Sequence, residues 1–175
     1  MNASIKQIHQ MLKEVKLAYF VGDDDGLTLL RFSRKGQRFS VFLIHNESHL
    51  RLLASDLPVV ARTSRLAAAV NEDLMELQQT LDISVAYREP DSGDLMLKCE
   101  VTCPQVDDEP QTLAGLLDVF CDDVMTACVS INAVLESGKT KRERTMDKSI
   151  ERLFDKACEE YEQDQKKEDK RKSDA

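Results

Sequence analysis

Three groups of residues carry side chains able to do chemistry. They are Asp23-Asp24-Asp25 between Gly22 and Gly26, His45 and His49 with Glu47 between them, and the cysteines at 99, 103, 121, 128 and 158. A calcium loop of the EF-hand kind spaces its oxygens at alternate positions over roughly twelve residues and closes with a glutamate. Three consecutive aspartates with no acid properly placed after them read instead as a polar hairpin turn. His-Asn-Glu-Ser-His is not the His-Glu-x-x-His of a metalloprotease, sits at a turn rather than on a helix, and has no evident third protein ligand. Two imidazoles facing each other across a hairpin leave one chemical alternative open. It is a small-molecule or metal-binding sensor in which His45, His49 and the Asp23–Asp25 turn converge.

The cysteines read as packing residues. Cys99 and Cys103 fall on one side of one strand; at about 3.4 Å per residue their Cα atoms stand roughly 13 Å apart, too far for a disulfide. Cys121 and Cys128 are seven apart on the apolar face of a helix, where a thiol serves as a small hydrophobe. Cys158 is the expected exposed thiol, with no histidine or asparagine pairing to make it a nucleophile. An odd cysteine number on strand and helix faces points to a reducing compartment, so a cytoplasmic location is expected. Gly-x-Ser-x-Gly, Ser-x-x-Lys with its partner motifs, Gly-x-Gly-x-x-Gly and the phosphate loop are all missing from the sequence. An enzyme is not expected, nor a resident metal or cofactor.

The elements that would position these residues are organised around 61–103. Residues 61–80 read as one helix, with Thr63 or Ser64 as a cap: Leu66, Val70, Leu74 and Leu77 recur at helical spacing, with Arg65, Glu72, Asp73 and Glu76 opposite them. The period then changes to two. Ile83, Val85 and Tyr87 alternate with Ser84, Ala86 and Arg88; after the turn Pro90-Asp91-Ser92-Gly93, the series Leu95, Leu97, Cys99, Val101, Cys103 alternates with Met96, Lys98, Glu100 and Thr102. Upstream, residues 2–15 form an amphipathic helix capped by Asn2 or Ser4. A meander follows over 17–21, 27–32, 38–44 and 50–54, its segments separated by Gly, Asp, Asn and Ser clusters. Downstream, Thr112 opens a long helix to about Glu136 with a wide apolar face, stopped at Gly138. Beyond it, residues 139–163 read as a charged helix with one stripe of Met146, Ile150, Leu153, Phe154 and Tyr161, and 164–175 as a disordered charged tail. The expected class is α+β, an antiparallel sheet with helices packed on one face and a helix appended at the C-terminal end.

Formal charge is −8, unevenly placed: residues 1–138 hold 12 Lys/Arg against 21 Asp/Glu, and 139–175 hold 12 against 11. An acidic body disfavours nucleic acid, whose binding draws on lysine and arginine. Arg34-Lys35-Gly36-Gln37-Arg38 is a small basic spot on that body, read as a solvated turn with a partner's acids as the other option. The N-terminal stretch lacks the apolar core of a signal peptide, and no run approaches a membrane span, so no membrane association is expected.

This layout resembles the YbjN family, sensory transduction regulators that share the fold of type III secretion chaperones. The likeness covers about Ser4 to Gly138. It is strongest over LAAAVNEDLMELQQTLDISVAYREPDSGDLMLKCEV, with Asn71 inside the helix and a Gly-containing acidic turn between the strands, followed by the long helix TLAGLLDVFCDDVMTACVSINAVLESG. The resemblance implies an α-β-β-β-α-β-β-α domain, commonly a homodimer, that binds protein and does no catalysis. The charged helix and tail depart from the family pattern, which generally ends soon after the last core helix. The function expected is a non-enzymatic protein-binding module, chaperone-like or regulatory. It would act by strand addition at a sheet edge or by capture of an amphipathic helix in a groove. Leu66, Val70, Leu74 and Leu77 are expected to serve partner packing or the core, and Ile150, Leu153 and Phe154 to cover this chain's own partner groove, to dock on a separate protein, or to pack on the domain.

Overall fold

The computed structural model describes residues 2–22, 27–46, 48–61 and 63–156. The chain divides after Gly138, and the two parts are taken separately. The first runs α1 (Ile5–Glu14), β1 (Tyr19–Val21), β2 (Leu27–Arg34), β3 (Gln37–His45), β4 (His49–Ser55), α2 (Ala67–Leu77), β5 (Val85–Arg88), β6 (Leu95–Thr102) and α3 (Pro110–Ser137). The α+β class is as expected. All four meander segments form strands, one more than the α-β-β-β-α-β-β-α formula allows, because the three-residue β1 pairs with β2.

The six strands form one antiparallel sheet in the order β1-β2-β3-β4-β6-β5. Register fixes which side chains share a face, since cross-strand partners point the same way. Leu30, Val41, Ala54, Leu97 and Ala86 are successive partners across five strands, and all are buried. Thr28, Leu43, Leu52 and Cys99 make the next row of the same inner face. Onto it pack Ile8, Met11 and Leu12 of α1, Val70, Leu74 and Leu77 of α2, and the α3 series Leu113, Leu117, Phe120, Val124, Ile131 and Val134.

Local chemistry sets the ends. The Ser4 N–H and hydroxyl both donate to Gln7 Oε1 at 2.8 Å, which starts α1 at Ile5. Helix α2 starts later than its apolar spacing suggests, because the preceding segment is tied to the sheet: Val60 N–H donates to Gly93 O and Leu95 N–H to Pro58 O. Gly93 permits that approach; its φ is +80°, and a Cβ there would collide with the Val60 carbonyl. Pro110 occupies the first turn of α3, two residues ahead of Thr112, and Gly138 closes it at φ 69° with its N–H on Val134 O.

Residues 139–156 belong to the second part. Helix runs over 141–156, opened by reciprocal bonds in which Thr140 N–H donates to Glu143 Oε2 and Glu143 N–H to Thr140 Oγ1. Tyr161, Cys158 and the expected tail at 164–175 lie outside the described residues.

Candidate interaction face

The face of the sheet away from α1–α3 is built by the alternate residues of the same strands. Phe20, Leu29, Phe42, Leu53, Lys98 and Val85 are successive partners across all six strands, so five of the six positions in this row are apolar. Beside it, Leu27, Ile44, Arg51 and Glu100 form a second row, and Tyr87 pairs with Met96. Phe20 is 57% and Val85 49% exposed, while Leu29, Phe42, Ile44 and Leu53 are half-buried by their neighbours. A shallow cleft of about 520 Å³ opens over β3, β4, β6 and β5, lined by Ile44, Arg51, Leu53, Val85, Tyr87 and Lys98 among others.

Cations hold the margins of this face. The Arg31 guanidinium carbon lies 5.5 Å above the Phe20 ring and the Lys98 Nζ 5.4 Å above the Tyr87 ring. Arg51 donates from Nε and Nη2 to Glu100 Oε2 at 3.1 and 2.9 Å. Arg38 faces the same way beside Arg31, with Asp56 at the border, where its carboxylate accepts from the Ser40 hydroxyl. Arg34 points inward instead and grips Asp118 and Asp122 of α3. The basic turn thus splits, one arginine fastening the β2–β3 hairpin to α3 and one left on the outer face.

Several sequence-derived candidates are placed elsewhere. Val70, Leu74 and Leu77 are buried in the core and Leu66 is half-buried, so this series serves the fold; α2 turns Met75 to solvent, 75% exposed. Ile150, Leu153 and Phe154 are exposed together with Met146 on the helix over 141–156. His45 and His49 do not face one another. Register pairs His45 with Leu50, and His49 with Thr102, so the two rings lie on opposite faces of the sheet. His45 Nε2–H donates to Ala3 O at 3.0 Å, and His49 Nδ1 is 2.7 Å from the Ser48 hydroxyl. No group of three metal-ligating side chains gathers among the described residues; Glu47 and Asp23–Asp25 fall outside them.

Cys99, Cys103, Cys121 and Cys128 are buried, and among the described residues none of them is bridged. Burial pushes the Cys121 thiol up to about 12, with the Arg34 charge opposing, and the Cys128 thiol to about 11. Such thiols are protonated and inert at neutral pH.

The strand sequences held a signal for this face. Leu-Thr-Leu-Leu-Arg-Phe and Phe-Ser-Val-Phe-Leu-Ile are nearly continuous apolar runs, the pattern of strands with two apolar faces. Strand β5 was the misleading one. Its larger side chains Val85 and Tyr87 point outward, and Ala86 points into the core. No protein-family model matches this sequence, and no curated protein is significantly similar to it.

Proposed function

We propose that this protein is a non-enzymatic protein-binding module, a chaperone-like or regulatory adaptor that holds other polypeptides against the outer face of its sheet. The observation that carries this reading is the row Phe20–Leu29–Phe42–Leu53–Lys98–Val85, apolar at five of its six positions and crossing the whole sheet on the side not covered by α1–α3. A contiguous apolar patch with a charged margin is the usual signature of a surface that meets another protein. Face capture is favoured over strand addition because the two edge strands are short, three residues in β1 and four in β5, and offer few ladder bonds. The paired state and chaperone kinship implied by the resemblance to the YbjN family belong to the same proposal, as does a cytoplasmic location. Among the described residues no helix is long and apolar enough to cross a membrane.

The test compares Phe42→Asp and Leu53→Asp with Val129→Asp, a site 64% exposed on α3. Polypeptides co-purifying from the native host are quantified, and circular dichroism melts confirm each fold. The outer-face variants should lose their partners by roughly tenfold or more, the effect of a charge placed in the centre of an interface, while Val129→Asp keeps them. Equal recovery with all three variants would overturn the proposal.

A further inference from the structure

We infer that the segment held on the outer face is acidic as well as apolar: a stretch of another polypeptide in which carboxylates alternate with large hydrophobic side chains. The inference rests on the protein-binding reading above and adds the chemistry of the partner. Its basis is how charge is distributed over the two sides of the first 138 residues, which hold 12 Lys/Arg against 21 Asp/Glu. The outward positions of β1–β6 carry Arg31, Arg38, Arg51 and Lys98 but one acid, Glu100, with Asp56 at the border. Eight cations and twenty anions are left for the rest of this part, counting Asp56 among them. The outer face is therefore a basic island on an acidic molecule, and its cations sit beside the apolar row rather than apart from it.

The cations are held in place. Arg31 and Lys98 lie over aromatic rings of the same face, and Arg51 is tethered to Glu100, so each presents its charge near the apolar row at reduced conformational cost. A carboxylate arriving beside Leu29 finds Arg31 two residues along β2, and one arriving beside Leu53 finds Arg51 along β4 and Lys98 across on β6. A cationic segment would meet like charge there, the repulsive half of specificity. Like charge also disfavours a second copy docked face to face, since that arrangement sets four cations against four. Steering over long distances is adverse because the whole chain is −8; discrimination arises at contact and is screened by salt.

The experiment titrates the full chain, isotope-labelled, with three short peptides that share leucine and phenylalanine positions and differ at the positions between them: glutamate, glutamine or lysine. Backbone amide shifts locate binding. The glutamate peptide should shift Leu29, Phe42, Leu53 and Val85 and bind roughly tenfold more tightly than the glutamine peptide, a few marginal ion pairs contributing about a factor of two each. That preference should shrink at high salt, and it should pass to the lysine peptide in the double variant Arg38→Glu/Lys98→Glu, whose fold is checked by its melting curve. Shifts on the outer face with no charge preference would overturn the acidic inference and leave the protein-binding reading standing. Absence of shifts there with all three peptides would overturn the inference; the reading itself would fall only if Phe42→Asp also kept every partner. Self-association of the unliganded chain that disappears in Phe42→Asp would make a second copy the occupant, and would also overturn the inference.

Discussion

Asp123 shows how much one buried side chain can organise. Its carboxylate, 3% exposed, accepts the N–H groups of Asp82, Ile83 and Ser84 at 2.9, 3.0 and 3.0 Å, and so fastens the chain between α2 and β5 onto α3. That anchorage sets where β5 begins, and with it which β5 side chains face outward. Truncating Asp123→Ala orphans three N–H groups, at about 1–3 kcal/mol each, so chemical denaturation should show a loss of several kcal/mol. Next to it, the Ser84 hydroxyl is buried with no hydrogen-bond partner among the described residues. Ser84→Ala removes an unsatisfied group and should leave stability unchanged or raise it by up to about 1 kcal/mol in the same assay. The contrast tests the geometry of the loop: one truncation orphans three donors, and the other removes an orphaned group. Neither role was legible in the sequence. Asp82, Asp122 and Asp123 are ordinary charged residues there, and nothing local marks the one that turns inward.

At the level of elements, α1 and β2 are joined by a contact sensitive to pH. His9 stacks on Tyr19 with ring centroids 4.7 Å apart, and its Nε2 is 2.7 Å from the hydroxyl of Thr28, a fully buried polar residue in β2. Burial, and then the nearby Lys13 charge, lower the His9 pKa below its usual 6.5. Below that value the unfolded chain takes up a proton before the folded chain does, so His9 stabilises the fold above about pH 6.5 and loses that contribution as pH falls. Melting temperatures measured between neutral and mildly acid pH should fall more steeply for the native chain than for His9→Gln. What sequence reasoning recovers at this scale follows from periodicity. The inward set Leu95, Leu97, Cys99 of β6 and the buried face of α3 repeat in clean patterns, and both point as expected. Strand β5 fails because four residues are too few to declare a side; the tether to Asp123 and the pairing of Ala86 with Leu97 decide it instead. The start of α2 fails for a related reason. The clip between Val60 and Gly93 joins residues far apart in sequence, and helical spacing upstream of Ala67 carries no trace of it.

At the scale of the whole molecule, the first 138 residues hold a sheet with one side closed by helices and the other side presenting a basic, apolar surface. Of the two roles expected for the α2 series, the core is the one that buried Val70, Leu74 and Leu77 fill, and the candidate site lies on the sheet. The paired state proposed above would use a surface other than the outer face. Light scattering coupled to size exclusion should give a dimer for the full chain, for residues 1–138 and for Phe42→Asp alike. A dimer that needs residues 139–175 would transfer assembly to the C-terminal part, whose helix exposes Met146, Ile150, Leu153 and Phe154. Whether the outer face receives polypeptides is read from a photo-crosslinking amino acid placed at Phe42 and, for comparison, at the exposed Thr126 of α3 in the full chain expressed in its native host. Discrete crosslinked products should form from position 42 and be missing from position 126. No product from position 42, or the same products from both, would contradict that binding role.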